Sequence, residues 1–424
     1  MLKKLKTSRN RESGAALLLA LIVTVGLIVL GSAYVAVVRS NSQLSLITYA
    51  DVEAMHIAEA GIEFAIWEVA HGGTDFLAAD GWTGITTKVK TDTISIPAGP
   101  VIGEYIVSVT YVGFNKYEIL SRGFFPNQAN TISDRTVKVL IEKETLFKQA
   151  MFAIEGIDLA PSVYVDSYDT RLGVYGGANV SSAGDLITNS ISNSTPYAAS
   201  LGSSAVVNGD VTIGVGGDLL TAINMSPGSS ITGTTGTLSK TNSPYAVSDI
   251  SGLLPYQGAL DIPANGTVTI SSSGEYDSIT LGNHSTLIVD ADVTLYLDGA
   301  MNFETHSTMI ISPTATISLI INDTLAFSSF AQVVNLSCDP KQFTIYGTNN
   351  VTSFDLGSQG QFFGNVYMPN ADCGVGPFTD YYGSIVAKSI FLASNVNYHF
   401  DKSLADDPSA PTFKKYVLRK WQGN

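Results

Sequence analysis

Cysteine, basic charge and catalytic signatures are the things this chain has little of, and each shortage excludes something. Its 424 residues hold two cysteines, Cys338 and Cys373. Neither belongs to a Cys-x-x-Cys or a Cys/His pair at zinc-ligand spacing, so a structural zinc site and a disulfide-rich scaffold are both excluded. Two readings stay open for the pair: one disulfide formed in an oxidising compartment, or two unpaired buried thiols. Lys and Arg number 23 against 37 Asp and Glu, a net charge of -14. Such a surface repels phosphate backbones and excludes nucleic acid as a partner. There is no Gly-rich phosphate loop, no Gly-x-Ser-x-Gly elbow and no His-Glu-x-x-His helix, so no catalytic residue, cofactor or metal is expected.

One long apolar run is present, and it organises the rest. Ala15 to Val38 lies uncharged between Glu12 and Arg39. As a helix rising 1.5 Å per residue it spans about 36 Å, against roughly 30 Å of bilayer hydrocarbon, so it can cross. Lys3, Lys4, Lys6, Arg9 and Arg11 precede it with only Glu12 opposing them. That bias keeps the short N-terminal flank cytoplasmic and exports the bulk of the chain. Without these 14 leader residues the net charge falls from -14 to -18.

The run is too long for a secretory signal, whose apolar region is about 7 to 15 residues before a small-residue cleavage site. Arg39-Ser40-Asn41-Ser42 matches such a site poorly. A plain membrane anchor competes with a second reading, in which Glu12-Ser13-Gly14 presents a cleavage point between Gly14 and Ala15 at the cytoplasmic face. Helical character continues beyond the run, with Leu46, Ile47, Val52, Met55, Ile57, Ile62, Phe64 and Ile66 apolar and no proline before Gly72-Gly73. Ala15 to Ala70 reads as one helix about 84 Å long, half in the membrane and half above it.

Residues 73–148 read as a small antiparallel β domain. Glu104–Tyr111, Lys116–Gly123 and Arg135–Lys143 alternate polar and apolar residues, with turns at Gly113-Phe114-Asn115 and Pro126–Asn130. A sheet with one apolar face needs a lid, and the upper half of the helix is the nearest element. From residue 149 charge thins out and short segments repeat. Gly282–Val289 returns as Glu304–Ile311 at an offset of 22, Val293–Phe303 as Ile317–Phe327 at 24, and Phe362–Tyr367 as Tyr381–Val386 at 19. Strands recurring at that interval suit the coils of a β-solenoid. Asp290, Asp292, Asp298 and Asp323 read as turn residues rather than catalytic acids, and His284 and His306, one coil apart, as a ladder of like side chains rather than a metal pair.

The basic leader, Gly14, Ala15–Leu21 and Ala58-Glu59-Ala60-Gly61-Ile62-Glu63 together resemble the minor pilins and pilin-like type IV pilus assembly proteins with a PilX-type N terminus. The resemblance implies that prepilin peptidase cuts after Gly14, that Ala15 becomes the methylated N terminus, and that the helix, with its Glu59, Gly61 and Glu63 motif, packs among other pilins in a filament core. Major pilins carry a Glu at the fifth mature position, where this chain has Leu19. The missing carboxylate favours a tip or initiating subunit. Phe152 to Asp406 also resembles a β-helix domain of PilX-type proteins, through Val165-Asp166-Ser167-Tyr168-Asp169, Asn370-Ala371-Asp372, Tyr382–Val386 and Phe400–Leu404.

The expected fold is therefore α+β and mostly β: a long N-terminal transmembrane helix, a small antiparallel pilin-like sheet and a parallel β-helix. Its parts are a leader over 1–14, a helix over 15–72 whose half 15–38 is the membrane or filament core, a β domain over 73–148, a solenoid over 149–406 and a C-terminal tail or cap over 407–424. The expected function is a non-enzymatic minor pilin-like subunit, held in the inner membrane with its N terminus cytoplasmic and then carried to the pilus or cell surface. Its partners are prepilin peptidase, other pilins and a surface or glycan ligand. Two alternatives remain, a membrane-anchored β-helix carbohydrate-active enzyme and a tip pseudopilin of type II secretion.

Overall fold

The computed structural model describes residues 5–71, 82–83, 87–95, 101–113, 116–126, 128–247, 250–406 and 412–423. They form two compact units, Met1–Lys143 with Lys414–Asn424, and Glu144–Phe413. The first unit begins with an uninterrupted helix, α1 (Leu5–His71). It starts inside the basic leader rather than at Ala15, because Lys, Arg and Leu are good helix formers and no proline stands in the way. The Gly72-Gly73 stop lies outside the described residues. At the upper end, Ala50, Ala54, Ile57, Ala58, Ile62, Ala65 and Val69 are buried. Their spacing of three and four draws one stripe along the helix.

That stripe lies on an antiparallel sheet of β1 (Thr87–Ser95), β2 (Val101–Gly113), β3 (Lys116–Phe125) and β4 (Ser133–Thr145). Val107 and Val109 of β2, Ile119 of β3 and Val137, Val139 and Ile141 of β4 complete the core with Ile57, Ala58 and Ile62. A Cβ on Gly123 of β3 would collide with the Ala54 carbonyl oxygen and the Ala58 amide nitrogen. Only glycine lets sheet and helix approach so closely. Asp51 of α1 pairs with Arg135 of β4 at 2.6 Å and accepts a hydrogen bond from Ser133. Strand β1 was not expected, since Thr87-Lys88-Val89-Lys90-Thr91 has too few apolar residues to mark a buried face. The segment 407–424, expected as a tail or cap, instead supplies the strand Thr412–Gly423 beside β4. It covers an edge that would otherwise stand open.

The second unit is a parallel solenoid with three faces. Face A runs through Leu186–Thr188, Met151–Ala153, Ile385–Ala387, Val366–Met368, Phe343–Gly347, Ile317–Ile321 and Val293–Leu297. Face B includes Ile223–Met225, Ala199–Leu201, Ile157–Leu159, Ser389–Leu392 and Asp372–Val375. Face C includes Tyr164–Tyr168, Asn397–Asp401 and Asp380–Tyr382, and further along Gln332–Asn335, Thr308–Ile311 and Thr286–Val289. Pairing follows the sequence repeats: Thr286 faces Thr308, Val293 faces Ile317 and Phe362 faces Tyr381. These are the offsets of 22, 24 and 19. Alternate side chains of each coil point into one apolar column, among them Leu287, Leu295, Met309, Leu319 and Ile345.

Most coils enter face C through the same corner. Ser162, Ser204, Asn265, His284, His306, Phe330, Phe378 and Asn395 all have φ near 60° and stand two residues before a face C strand. The residue that follows is small or β-branched and buried in most coils, as in Ala205, Ser285, Ser307, Ala331 and Thr379.

The chain enters this stack in its middle. Met151–Leu159 pairs on one side with the coil that follows it and on the other with Ile385–Leu392 of the last coil. From the first coil the chain winds out to Thr235–Thr237, crosses to the far end at Tyr256–Ile262 and winds back to close on its own beginning. The crossing is tied down along its way. Asn242 and Asn189 exchange two hydrogen bonds of 3.0 and 2.6 Å, the Tyr245 amide donates to the Tyr367 hydroxyl at 2.8 Å, and the Gly252 amide donates to Glu275 at 2.7 Å.

Candidate functional site

The lower half of α1 is apolar and bare. Leu17, Leu18, Leu21, Leu27, Ile28 and Leu30 are all exposed. Ala16–Val69 is long and apolar enough to cross a membrane. The bond between Gly14 and Ala15 lies within the helical backbone, and the surroundings of the Ala15 side chain lie outside the described residues. Leu19 is 66% exposed, one apolar side chain among many. The Glu59, Gly61 and Glu63 motif divides. A Cβ on Gly61 would meet Ser121 and Tyr105 of the sheet, while Glu59 is half-buried beside His56 and Glu63 faces solvent. The glycine serves packing within the unit, and the two acids lie away from it.

A groove of about 450 Å³ opens on the solenoid where the first and last coils meet. The adjacent strands slip register there, between Ala387 and Ser389 and between Met368 and Asp372. Bulges of this kind re-aim side chains. Lys388 Nζ lies 3.6 Å from Glu155 and 3.5 Å from Asp372, and Ser389 donates a 2.6 Å hydrogen bond to Asp372. Asp158, Ser200, Tyr197 and Phe391 line the rest. Sequence reading reached only Asp372 among these. The others come from strands about 230 residues apart that share no repeat, so no spacing could bring them together.

Behind the groove's coils, face C brings together residues of three of the solenoid motifs, Val165–Asp169, Tyr382–Val386 and Phe400–Leu404, while Asp372 of the fourth lines the groove on face B. Asp166 faces His399 and Tyr168 faces Asp401 across the seam between first and last coils. Asp166 accepts from Tyr175 at 2.8 Å and lies 2.6 Å from His399 Nδ1, with the Tyr175 ring 3.8 Å from the imidazole. Asp401 accepts four hydrogen bonds: from the Thr170 amide and hydroxyl at 3.1 and 2.8 Å, and from the Ser403 amide and hydroxyl at 3.0 and 2.7 Å. Ser384 donates to the Gln149 carbonyl at 2.7 Å and Tyr398 to the Ala150 carbonyl at 2.7 Å. Burial, with Asp380 and Asp166 nearby, pushes the Tyr382 hydroxyl up to about 12. Asp166 and Asp401 are fully buried and His399 nearly so. The buried Asp166–His399 pair, with the half-buried Tyr175 against it, ties the first coil to the last.

The cysteines are free thiols, Cys338 exposed and Cys373 buried, so the disulfide reading is set aside. Cys338 sits in the turn leading to face A, whereas Cys373 points into the core from face B, where burial pushes its thiol up. The His284 and His306 rings stack at 4.8 Å, and Phe330 continues the ladder at 4.8 Å. Asp292 accepts from the Thr316 amide and hydroxyl at 2.8 and 2.7 Å, and Asp298 from Asn322 at 3.2 Å, each tying neighbouring coils. Among the described residues, no group of three or more His, Cys, Asp or Glu is placed to hold a metal ion.

Residues 225–407, less than half of the chain, match a family model described as Domain of unknown function (DUF7305). No curated protein matches the sequence. Among solved structures the chain is similar to the competence-associated pilin ComZ from Thermus thermophilus, at 12% identity and a TM-score of 0.26, covering 88% of this chain and 97% of that one.

Proposed function

We propose that this chain is a non-enzymatic, pilin-like subunit that docks by α1 in a type IV pilus or related filament and displays the solenoid at or near the tip, for assembly priming and for adhesion to a surface or glycan. The observation that carries the reading is the division of one helix into a packed upper half and a bare apolar lower half. The lower half needs an apolar surround at every stage. A bilayer supplies it before assembly, since a helix satisfies its own backbone in lipid, and other pilins supply it afterwards. Leu19 supports a tip position, because a subunit without the carboxylate cannot neutralise the buried N-terminal amine of a neighbour.

Prepilin peptidase and other pilins are the partners under this reading, and the protein resides first in the inner membrane with its N terminus cytoplasmic. The test is the mature N terminus, read by mass spectrometry of membrane and sheared-filament fractions from cells with and without prepilin peptidase. A methylated Ala15 that depends on the peptidase is the expected outcome. An intact leader in both strains would leave α1 a simple anchor and end the pilin reading.

A further inference from the structure

The seam between first and last coils has a buried side and an open side. The buried side is explained by closure, and the open side, the groove on face B, is not. Across it, Ser200, Asp158 and Phe391 stand at matched positions of three adjacent coils, with Asn224 one coil further. Coils lie roughly 4.8 Å apart, so this outward row spans about 14 Å, the reach of a short chain of units rather than one small molecule. Beside it runs the second row of Glu155, Lys388 and Asp372.

Three features select a ligand. The groove holds three carboxylates to one ammonium, which disfavours anionic polymers. Lys388 is shared between Glu155 and Asp372, while Asp158 has no hydrogen-bond or ion-pair partner among the described residues. The uncompensated charge therefore sits in the middle of the outward row. Next to it, Phe391 is 47% exposed and offers an apolar ring beside Ser, Asn and carboxylate groups. Finally, backbone groups on both sides of the strands that carry Ser200, Asp158 and Phe391 are taken up in parallel ladders. An extended peptide cannot add as a further strand between them, so recognition there is through side chains.

We propose that this groove binds an amine-bearing oligosaccharide, with one sugar face on Phe391, its ammonium on Asp158 and its hydroxyls on Ser200, Asn224 and the second-row carboxylates. The proposal deepens the adhesion reading and rests on it for the groove being presented outside the cell. Its test is calorimetric titration of the full chain in lipid nanodiscs with a glucosamine tetrasaccharide, its N-acetylated form, a galacturonate tetrasaccharide and tetralysine. The glucosamine tetramer is expected to bind, at least tenfold more tightly than the N-acetylated form, and the galacturonate tetramer not at all. Asp158→Asn and Phe391→Ala should each weaken binding at least tenfold, while His306→Ala, on the distant corner ladder, should leave it unchanged. Both key residues face solvent, and an unchanged thermal unfolding profile checks that the variants fold. Failure of the glucosamine tetramer to bind, equal binding of the galacturonate tetramer, or variants without effect would each overturn the site. Equal binding of the N-acetylated form would overturn the placement of an amine on Asp158. Tetralysine binding that needs Asp158 but not Phe391 would replace the saccharide with a basic peptide. The Ala15 terminus is checked on the same preparation, so loss of this site and loss of the pilin reading are told apart.

Discussion

In the first unit one helix lies across an antiparallel sheet and the core forms between two layers; in the second, coils stack and the core is a column enclosed by three faces. The first arrangement depends on how closely two different elements approach, which is why glycines stand at the contact. The second depends on each coil finding a neighbour, since no coil buries its apolar row alone. Most coils find the next one in sequence. The first and last must find each other across nearly the whole unit, and that pairing carries the high cost of closing a long loop. The seam is also where the buried carboxylates Asp166 and Asp401 are concentrated, so the two units should fail in different ways.

The largest effect is expected at the seam. Asp401→Ala leaves the Thr170 and Ser403 donors without their acceptor, at a cost of about 3 kcal/mol or more. Hydrogen exchange should accelerate in Met151–Leu159 and Ile385–Leu392 together, with β2 and β3 unchanged; protection that persists in both coils would mean that apolar stacking alone holds the seam. Gly123→Val comes next. It forces sheet and helix apart at backbone atoms, costing about 1–3 kcal/mol, and exchange should rise in β3 and the upper part of α1 while the solenoid keeps its protection. Loss of protection in both units would show that they unfold as one and erase the contrast.

The smallest effects sharpen the comparison within the solenoid through pH. The Arg171 guanidinium, hydrogen-bonded to Asp169, holds its carboxyl below the usual range. Its folded value lies below its unfolded one, so its contribution is complete above the unfolded value and fades as pH falls through the folded value. Burial raises Asp185 instead. Its contribution is present below the unfolded value and is lost as pH rises through the folded one. Asp169→Asn should thus flatten the acid limb of denaturation midpoints measured between about pH 2 and 7, and Asp185→Asn should raise stability at neutral pH with no gain in acid. The same slope for both variants would contradict the assignment.

Much of this architecture was legible in the residues. Period-two alternation located β2, β3 and β4, and uncharged length located the apolar half of α1. The repeats at Gly282–Val289 and Val293–Phe303 predicted which residues would face each other in neighbouring coils. Strand β1 and the strand Thr412–Gly423 escaped because they carry little of that alternation. A recurring corner was also open to reading: His284-Ser285, His306-Ser307, Phe330-Ala331 and Phe378-Thr379 each place a residue of free identity before a small buried one.

What the sequence by itself determined is everything that rests on neighbours along the chain: a helix long enough to span a bilayer, strands from alternation and coil register from repeats. Only the tertiary structure decided which distant segments meet. Met151–Leu159 lies against Ile385–Leu392, Thr412–Gly423 beside β4, and Glu155 within reach of Lys388. The physical reason is that local patterns report which way a side chain faces, whereas contacts closed across long loops depend on the free energy of the whole packed chain and leave no period in the sequence.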